Sequence, residues 1–308
     1  MKKFYILLIA LLAVNGARAQ SCLPQGITFA TQAQIDNFQT NYPNCTQIDG
    51  DVTISGTDIT NLNGLSVLTS IGGRITINGN DALTSLTGLE SLTSIGGRLE
   101  IYTNEALTSL TGLESLTSIG LSLIISGNYT LTSLTGLEGL TSIVGGHLTI
   151  NGNDALTSLT GLDNVTSIGG LLDITGNAAL TSLTGLEGLT SIVGGIQIYF
   201  TAALTSLTGL DNVTSVGHIE INYNDALTSL MGLGNVTSIG GTLNITHNTA
   251  LTSLTGLEGV TSVGGHLFIE YNDALTSLTG LGGGDFHLGR PFYLWQRCPD
   301  QPDGIGQH

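Results

Sequence analysis

Positive charge is scarce in this chain. Seven Lys and Arg stand against 23 Asp and Glu, a formal net charge of −16. Lys2, Lys3 and Arg18 fall near the N-terminus and Arg290 and Arg297 near the C-terminus, leaving only Arg74 and Arg98 between. A polyanion would be repelled, so nucleic-acid binding is excluded as a function class. Proline is missing from the whole stretch between Pro43 and Pro291. Nothing there removes a backbone donor, as an uninterrupted strand ladder requires. Aromatic residues make up 5% and Trp occurs once, whereas there are 44 glycines, which fits a thin coil better than a thick globular core. No apolar run reaches the length of a membrane-spanning helix. Signatures of an enzyme are also missing, and no catalytic residue, metal site or cofactor is expected.

What is present is one sentence repeated. The phrase L-T-S-L-T-G-L, with small variations, starts at Leu83, Leu107, Leu131, Leu156, Leu180, Leu204, Leu227, Leu251 and Leu275, and a degenerate copy starts at Ile59. The step is 24 residues, with one of 25 and one of 23. A fixed period of this size marks a solenoid, in which each coil buries its apolar side against its neighbours. In the unit Leu83–Asn104, apolar residues recur every third position at Leu83, Leu86, Leu89, Leu92 and Ile95, then alternate at Leu99 and Ile101. Spacing of three does not fit an amphipathic helix, and alternation fits a strand with one buried face. The pattern predicts one clear strand per coil, near Arg98–Ile101, and two shorter extended stretches near Leu83–Leu86 and Leu92–Ile95.

The ends differ from the array. Lys2 and Lys3, the apolar run Phe4 to Val14 and Ala17-Arg18-Ala19 read as a secretory signal over residues 1–19, which implies a secreted or cell-surface product. Export makes a disulfide plausible. Cys22 and Cys45 flank a segment with a capping box (Thr31 and Gln34) followed by Pro43, so residues 20–50 read as an N-terminal cap closed by Cys22–Cys45 and containing a short helix. A loop of this length would gain about 3 kcal/mol in the chain-entropy model. A lipid anchor on Cys22 is the alternative, against a poor cleavage box. The solenoid proper spans 51–283.

After Gly283 the pattern stops, and residues 284–308 bring the lone Trp295 and the odd Cys298. Read one base later, with synonymous codons free, this tail permits T-S-I-S-G-G-R-F-T-F-G-N-D-A-L-T-S-L-T-G-L-G-N, the next repeat in register. The expectation is a single-base insertion near the codons for Gly283 and Gly284. Trp295 and Cys298 would then have no selected function.

The pattern L-x-x-L-x-G-L-x-x-L-x-S-I-G-G-x-L-x-I-x-x-N resembles the receptor L domain repeat of insulin- and EGF-type receptor ectodomains, and is similar to long bacterial secreted arrays of the same unit. The resemblance covers roughly residues 50 to 283. It implies an all-β, right-handed parallel β-solenoid of about ten leucine-rich coils, and a non-catalytic module that binds a ligand or a surface. It carries over no binding residue.

Two columns draw a functional reading. Asn80, Asn104, Asn128, Asn153, Asn177, Asn224, Asn248 and Asn272 recur once per coil, with Thr201 the exception. A metal or sugar ladder is one reading. A structural stack satisfying turn backbone and neighbouring amides is the better one, because every coil shares that need. On the outer face, variable positions turn aromatic toward the C-terminal half: Tyr199, Phe200, Tyr223, Phe268 and Tyr271, with Glu220, Asn222 and His247 between them. Aromatics beside hydrogen-bonding groups suit an extracellular protein or glycan as partner; the plainer account is packing on a neighbouring coil. Carboxylates after each Gly-Leu (Glu90, Glu114, Glu138, Asp163, Glu187, Asp211, Glu258) read as a solvated acidic stripe, with weak Ca²⁺ binding the alternative. The expected function is extracellular recognition or adhesion. A structural surface rod without a specific ligand, or an ice-binding solenoid, are the competing readings.

Overall fold

The structure is a computed structural model that describes residues 20–281, 287–288 and 292–295. The signal-like segment 1–19 and most of the tail lie outside the described residues.

Each coil contributes a short strand and a longer one. In the type unit these are Ser94–Ile95 and Leu99–Tyr102. Equivalent strands stack in register as two parallel 12-stranded sheets. Leu99, Leu123 and Leu148 lie opposite one another, as do Ile101, Ile125 and Ile150. The chain is thus an all-β parallel solenoid of about ten 24-residue coils. Its core is a continuous column of aliphatic side chains: Leu83, Leu86, Leu89, Leu92, Leu99 and Ile101 are 0% exposed, as are their counterparts through Ile269, while Leu278 in the last coil is 38% exposed. Each such side chain contributes roughly 1.5–3 kcal/mol of burial.

On the third side of the coil, the expected extended stretch at Leu83–Leu86 forms no regular strand. Tight turns flank it: Leu83 N–H donates to the Asn80 carbonyl, Leu89 to Leu86 and Leu92 to Leu89, at 2.9–3.2 Å. Coil-to-coil bonds such as Leu86 N–H to the Thr111 carbonyl (2.9 Å) tie this side to the next coil. The glycine of the repeat phrase sits where chains nearly touch. Gly112 has φ +114, and a Cβ there would lie 2.2 Å from the Leu86 carbonyl oxygen, so no other residue fits.

Both departures from the 24-residue step fall at one corner, between the short and long strands. Five positions separate Ile143 from Leu148, whereas three separate Val216 from Ile219. Register on either side is unaffected: Leu123 still pairs with Leu148, and Ile196 with Ile219.

At the N-terminus, Gln20–Cys22 and Ile27–Phe29 begin the two sheets. Two short helices, Gln32–Asp36 and Phe38–Asn41, follow. The capping box is made in both directions, Gln34 N–H to Thr31 Oγ1 (3.4 Å) and Thr31 N–H to Gln34 Oε1 (3.2 Å). Phe29, Ile35 and Phe38 are buried over the first coil, with Phe29 and Phe38 edge to face at 5.7 Å. A disulfide joins Cys22 to Cys45 across 5.7 Å between Cα atoms. At the other end, His287–Leu288 and Phe292–Trp295 extend both ladders by one coil, with Leu288 opposite Val263, Phe292 opposite Leu267 and Leu294 opposite Ile269. Among the described residues no helix is long and apolar enough to cross a membrane.

Candidate functional site

The asparagine column is wholly buried, and its amides run as a ladder along the solenoid. Asn104 Oδ1 accepts from the Asn80 backbone N–H (3.1 Å) and from Asn80 Nδ2 (2.9 Å). Asn104 Nδ2 donates to the Ile77 carbonyl (3.1 Å) and to Asn128 Oδ1 (3.1 Å). Every amide is thereby committed to backbone or to its neighbour. The column has no capacity left for a metal or a sugar.

The ladder breaks once. It runs from Asn80 to Asn177, where Asn153 donates to Asn177 Oδ1. Thr201 follows, and its hydroxyl turns back to the Tyr199 carbonyl (3.3 Å) instead of receiving the Asn177 N–H. The ladder resumes when Thr201 N–H donates to Asn224 Oδ1 (3.0 Å).

The position before each ladder residue has left-handed backbone throughout. In the N-terminal coils it is Gly79, Thr103, Gly127, Gly152 and Gly176; in the C-terminal coils it is Phe200, Tyr223, His247 and Tyr271, with φ between +53 and +60. Glycine takes this conformation at no steric cost, whereas a side chain costs roughly 1–2 kcal/mol. The four rings stack along the rod. Centroids lie 4.8 Å apart for Phe200–Tyr223, 4.4 Å for Tyr223–His247 and 4.5 Å for His247–Tyr271, with planes within 14–19° of parallel. These distances match the spacing of hydrogen-bonded strands, about 4.8 Å, so the sheet itself sets the stack. Phe200 is 57% exposed and Tyr223 44%. His247 Nδ1 has no hydrogen-bond partner among the described residues.

The other residues singled out from the sequence lie on the sheet face beside this stack. Tyr199 donates its hydroxyl to Glu220. Burial, then the Glu220 bond and charge, push its phenol above the ordinary value, so it stays a neutral donor. Asn222 is 7% exposed, and its Oδ1 accepts from the Thr246 N–H (3.0 Å) and hydroxyl (2.8 Å), which makes it a pin between coils. Phe268 packs at 5.6 Å beside His266, away from the stacked column. The structure therefore brings Phe200, Tyr223, His247 and Tyr271 together. It places Tyr199 on the strand next to that of Glu220 and Asn222, and Phe268 two strands further along the same sheet.

Further up the same face, Arg74 and Arg98 both reach Glu100, at 3.7 and 3.9 Å, and Thr76 donates to Glu100 Oε2 (3.0 Å). Burial, followed by the Glu100 charge, raises the Tyr102 phenol despite both arginines. The basic residues of the array are thus occupied by internal carboxylates.

Sequence reading missed two uses of polar groups. The acidic stripe is more than solvated charge: Gly112 N–H donates to both carboxylate oxygens of Glu114 (3.0 Å each), and Gly161 and Gly185 N–H each donate to one oxygen of Asp163 and Glu187. The threonine columns are likewise spent inward, with Thr108 Oγ1 bonded to the Thr84 carbonyl and Thr117 Oγ1 to the Thr93 carbonyl. Aligning Gly176 with Phe200 in the column before each Asn is the signal that would have found the strained stack.

This geometry defines a class: a parallel β-solenoid with a fully committed interior and one decorated sheet face. Residues 44–136 match the family model of the Receptor L domain, which assigns that stretch to the receptor L domain family. The same unit continues beyond it through the aromatic coils. No curated protein matches the chain.

Proposed function

We propose that this protein is a non-catalytic, secreted or cell-surface recognition module that binds protein or carbohydrate through its variable sheet face. The observation that carries the reading is the stacked column of Phe200, Tyr223, His247 and Tyr271 in left-handed backbone. Strain kept where glycine would remove it is characteristic of functional positions. Half-exposed aromatic surface of this kind is also what binding sites use. The receptor L domain match and the disulfide agree with an extracellular binding role. The alternatives have less support. Ice binding needs a free threonine array, whereas two threonine columns donate to backbone carbonyls and the Thr87-type column pairs with serine hydroxyls. A plain rod gives no reason to replace glycine by four rings.

The test is adhesion of the purified full chain to intact cells and to a printed glycan array, beside the double variant Tyr223→Gly/Tyr271→Gly. The variant should fold and lose at least about tenfold in binding, or about 1.4 kcal/mol. Equal binding by both proteins would take the contact away from the stack, and binding by neither would leave the rod reading in its place.

A further inference from the structure

The aromatic stack has a free end. Tyr223 covers one face of Phe200. The opposite face turns toward the preceding coil, where the same column holds Gly176. A Cβ placed on Gly176 would meet no atom closer than 3.6 Å. Gly176 thus sets no ring beside Phe200, which is 57% exposed. The break in the asparagine ladder falls at this same coil, where Thr201 replaces Asn.

Around that position the backbone donors are spent, and apart from the Asn151 amide the side chains offer acceptors. Gly176 N–H is bonded to the Tyr199 carbonyl (2.8 Å), and Gly152 N–H to the Thr175 carbonyl (2.9 Å). Thr175 gives its hydroxyl proton to Asp173 Oδ1 (2.6 Å). The Asn151 carbonyl oxygen, Oδ1, lies 3.6 Å from the Gly176 Cβ point. An occupant must present a flat apolar face to Phe200 and hydroxyl donors at its edge to Asn151, Thr175 and Asp173. A pyranose ring has both. A phenylalanine side chain has the face but no donor and a tyrosine or tryptophan only one, while an acidic sugar would meet Asp173 and a chain of net charge −16.

We infer that the open face of Phe200, above Gly176, binds one pyranose ring of an uncharged oligosaccharide, edged by Asn151, Asp173 and Thr175. This assignment rests on the recognition reading above and names its ligand class and its docking end. A ring stacked on Phe200 lies roughly parallel to the strand Leu171–Thr175, so the rest of the glycan runs across the sheet and not along the rod.

The experiment is calorimetric titration of the full chain with cellotetraose, mannotetraose and chitotetraose, with tetragalacturonate as the acidic comparison. At least one neutral tetrasaccharide should bind at millimolar concentration or below, and tetragalacturonate should not. Phe200→Gly should abolish that binding with an unchanged or higher melting temperature, since glycine suits the backbone. Gly176→Asn, a residue that tolerates left-handed φ, should fill the position beside Phe200 and weaken binding at least about tenfold. If Phe200→Gly failed to fold, Gly176→Asn would decide the matter alone. Undiminished sugar binding by both variants, no binding of any neutral sugar, or capture at Phe200 of an aromatic peptide in preference to sugar would each overturn the assignment. Loss of binding in Tyr223→Gly/Tyr271→Gly, with Phe200→Gly and Gly176→Asn unaffected, would overturn it while sparing the recognition reading.

Discussion

The coils ending at Asn177 and those beginning at Phe200 share a core but not a surface. Buried columns are the same on both sides, with Leu83 and Leu227 equally 0% exposed. The turn column changes from mainly glycine to aromatic at a single step. Three ring contacts at about 0.5–1.5 kcal/mol each offset only part of four left-handed side chains at roughly 1–2 kcal/mol each. Stability does not call for the rings, whereas it does call for the leucines. One half is a scaffold with its conformational needs met by glycine. The other is the same scaffold carrying something extra.

That contrast can be attacked from several directions. The largest effect is expected from the core that both halves share. Leu159→Asp places an unpaired charge among 0%-exposed side chains and should unfold the array or uncouple its two halves, seen as a lost or split thermal transition. An unchanged melt would mean the interior is not continuous. Next comes the ladder. Asn153→Ala orphans the Asn128 backbone N–H and the Ile125 carbonyl, and should cost about 2–4 kcal/mol in denaturant midpoint experiments. The same mutation logic run backwards at the seam, Thr201→Asn, should add up to about 1 kcal/mol by giving Asn177 an acceptor. A destabilised Thr201→Asn protein would show that the break itself is needed for the fold. A smaller difference separates the two kinds of turn: Gly152→Ala should lose about 1 kcal/mol, while His247→Gly should be neutral or gain slightly. Smallest is the carboxylate cap. Glu114→Ala should lower the melting point by the equivalent of about 0.5–1.5 kcal/mol through the Gly112 N–H, and Glu114→Gln by less.

Much of the architecture was legible because repetition multiplies weak signals. Alternation at Leu99 and Ile101 predicts a strand, and agreement across ten units makes the parallel stack hard to avoid. The cap helix was legible for a different reason, since Thr31 and Gln34 mark a local hydrogen-bond exchange that needs no tertiary context. Leu83–Leu86 and Leu86–Leu92 share a spacing of three, which does not separate them: the first bonds to the next coil through Thr84 and Leu86, and the second closes turns from Leu89 to Leu86 and from Leu92 to Leu89. The aromatic residues were visible as a drift in composition. Their left-handed backbone was not, since φ belongs to the column and only Gly176 beside Phe200 betrays it. Asn222 looked available because the spacing gives its face; that Thr246 occupies its oxygen depends on side-chain reach.

The corner between Ile143 and Leu148 took in an extra residue, and the one between Val216 and Ile219 lost one, without disturbing either sheet. The corner after Ile54 is also one residue shorter than its counterpart after Ile77, with Ile54 still opposite Ile77, so bends absorb changes of length that the ladders do not. A gene that grows by duplicating this unit can drift in length at such a bend and still yield a foldable product. For the protein engineer, the bend is where a foreign loop or tag could be spliced in while the aromatic face stays intact.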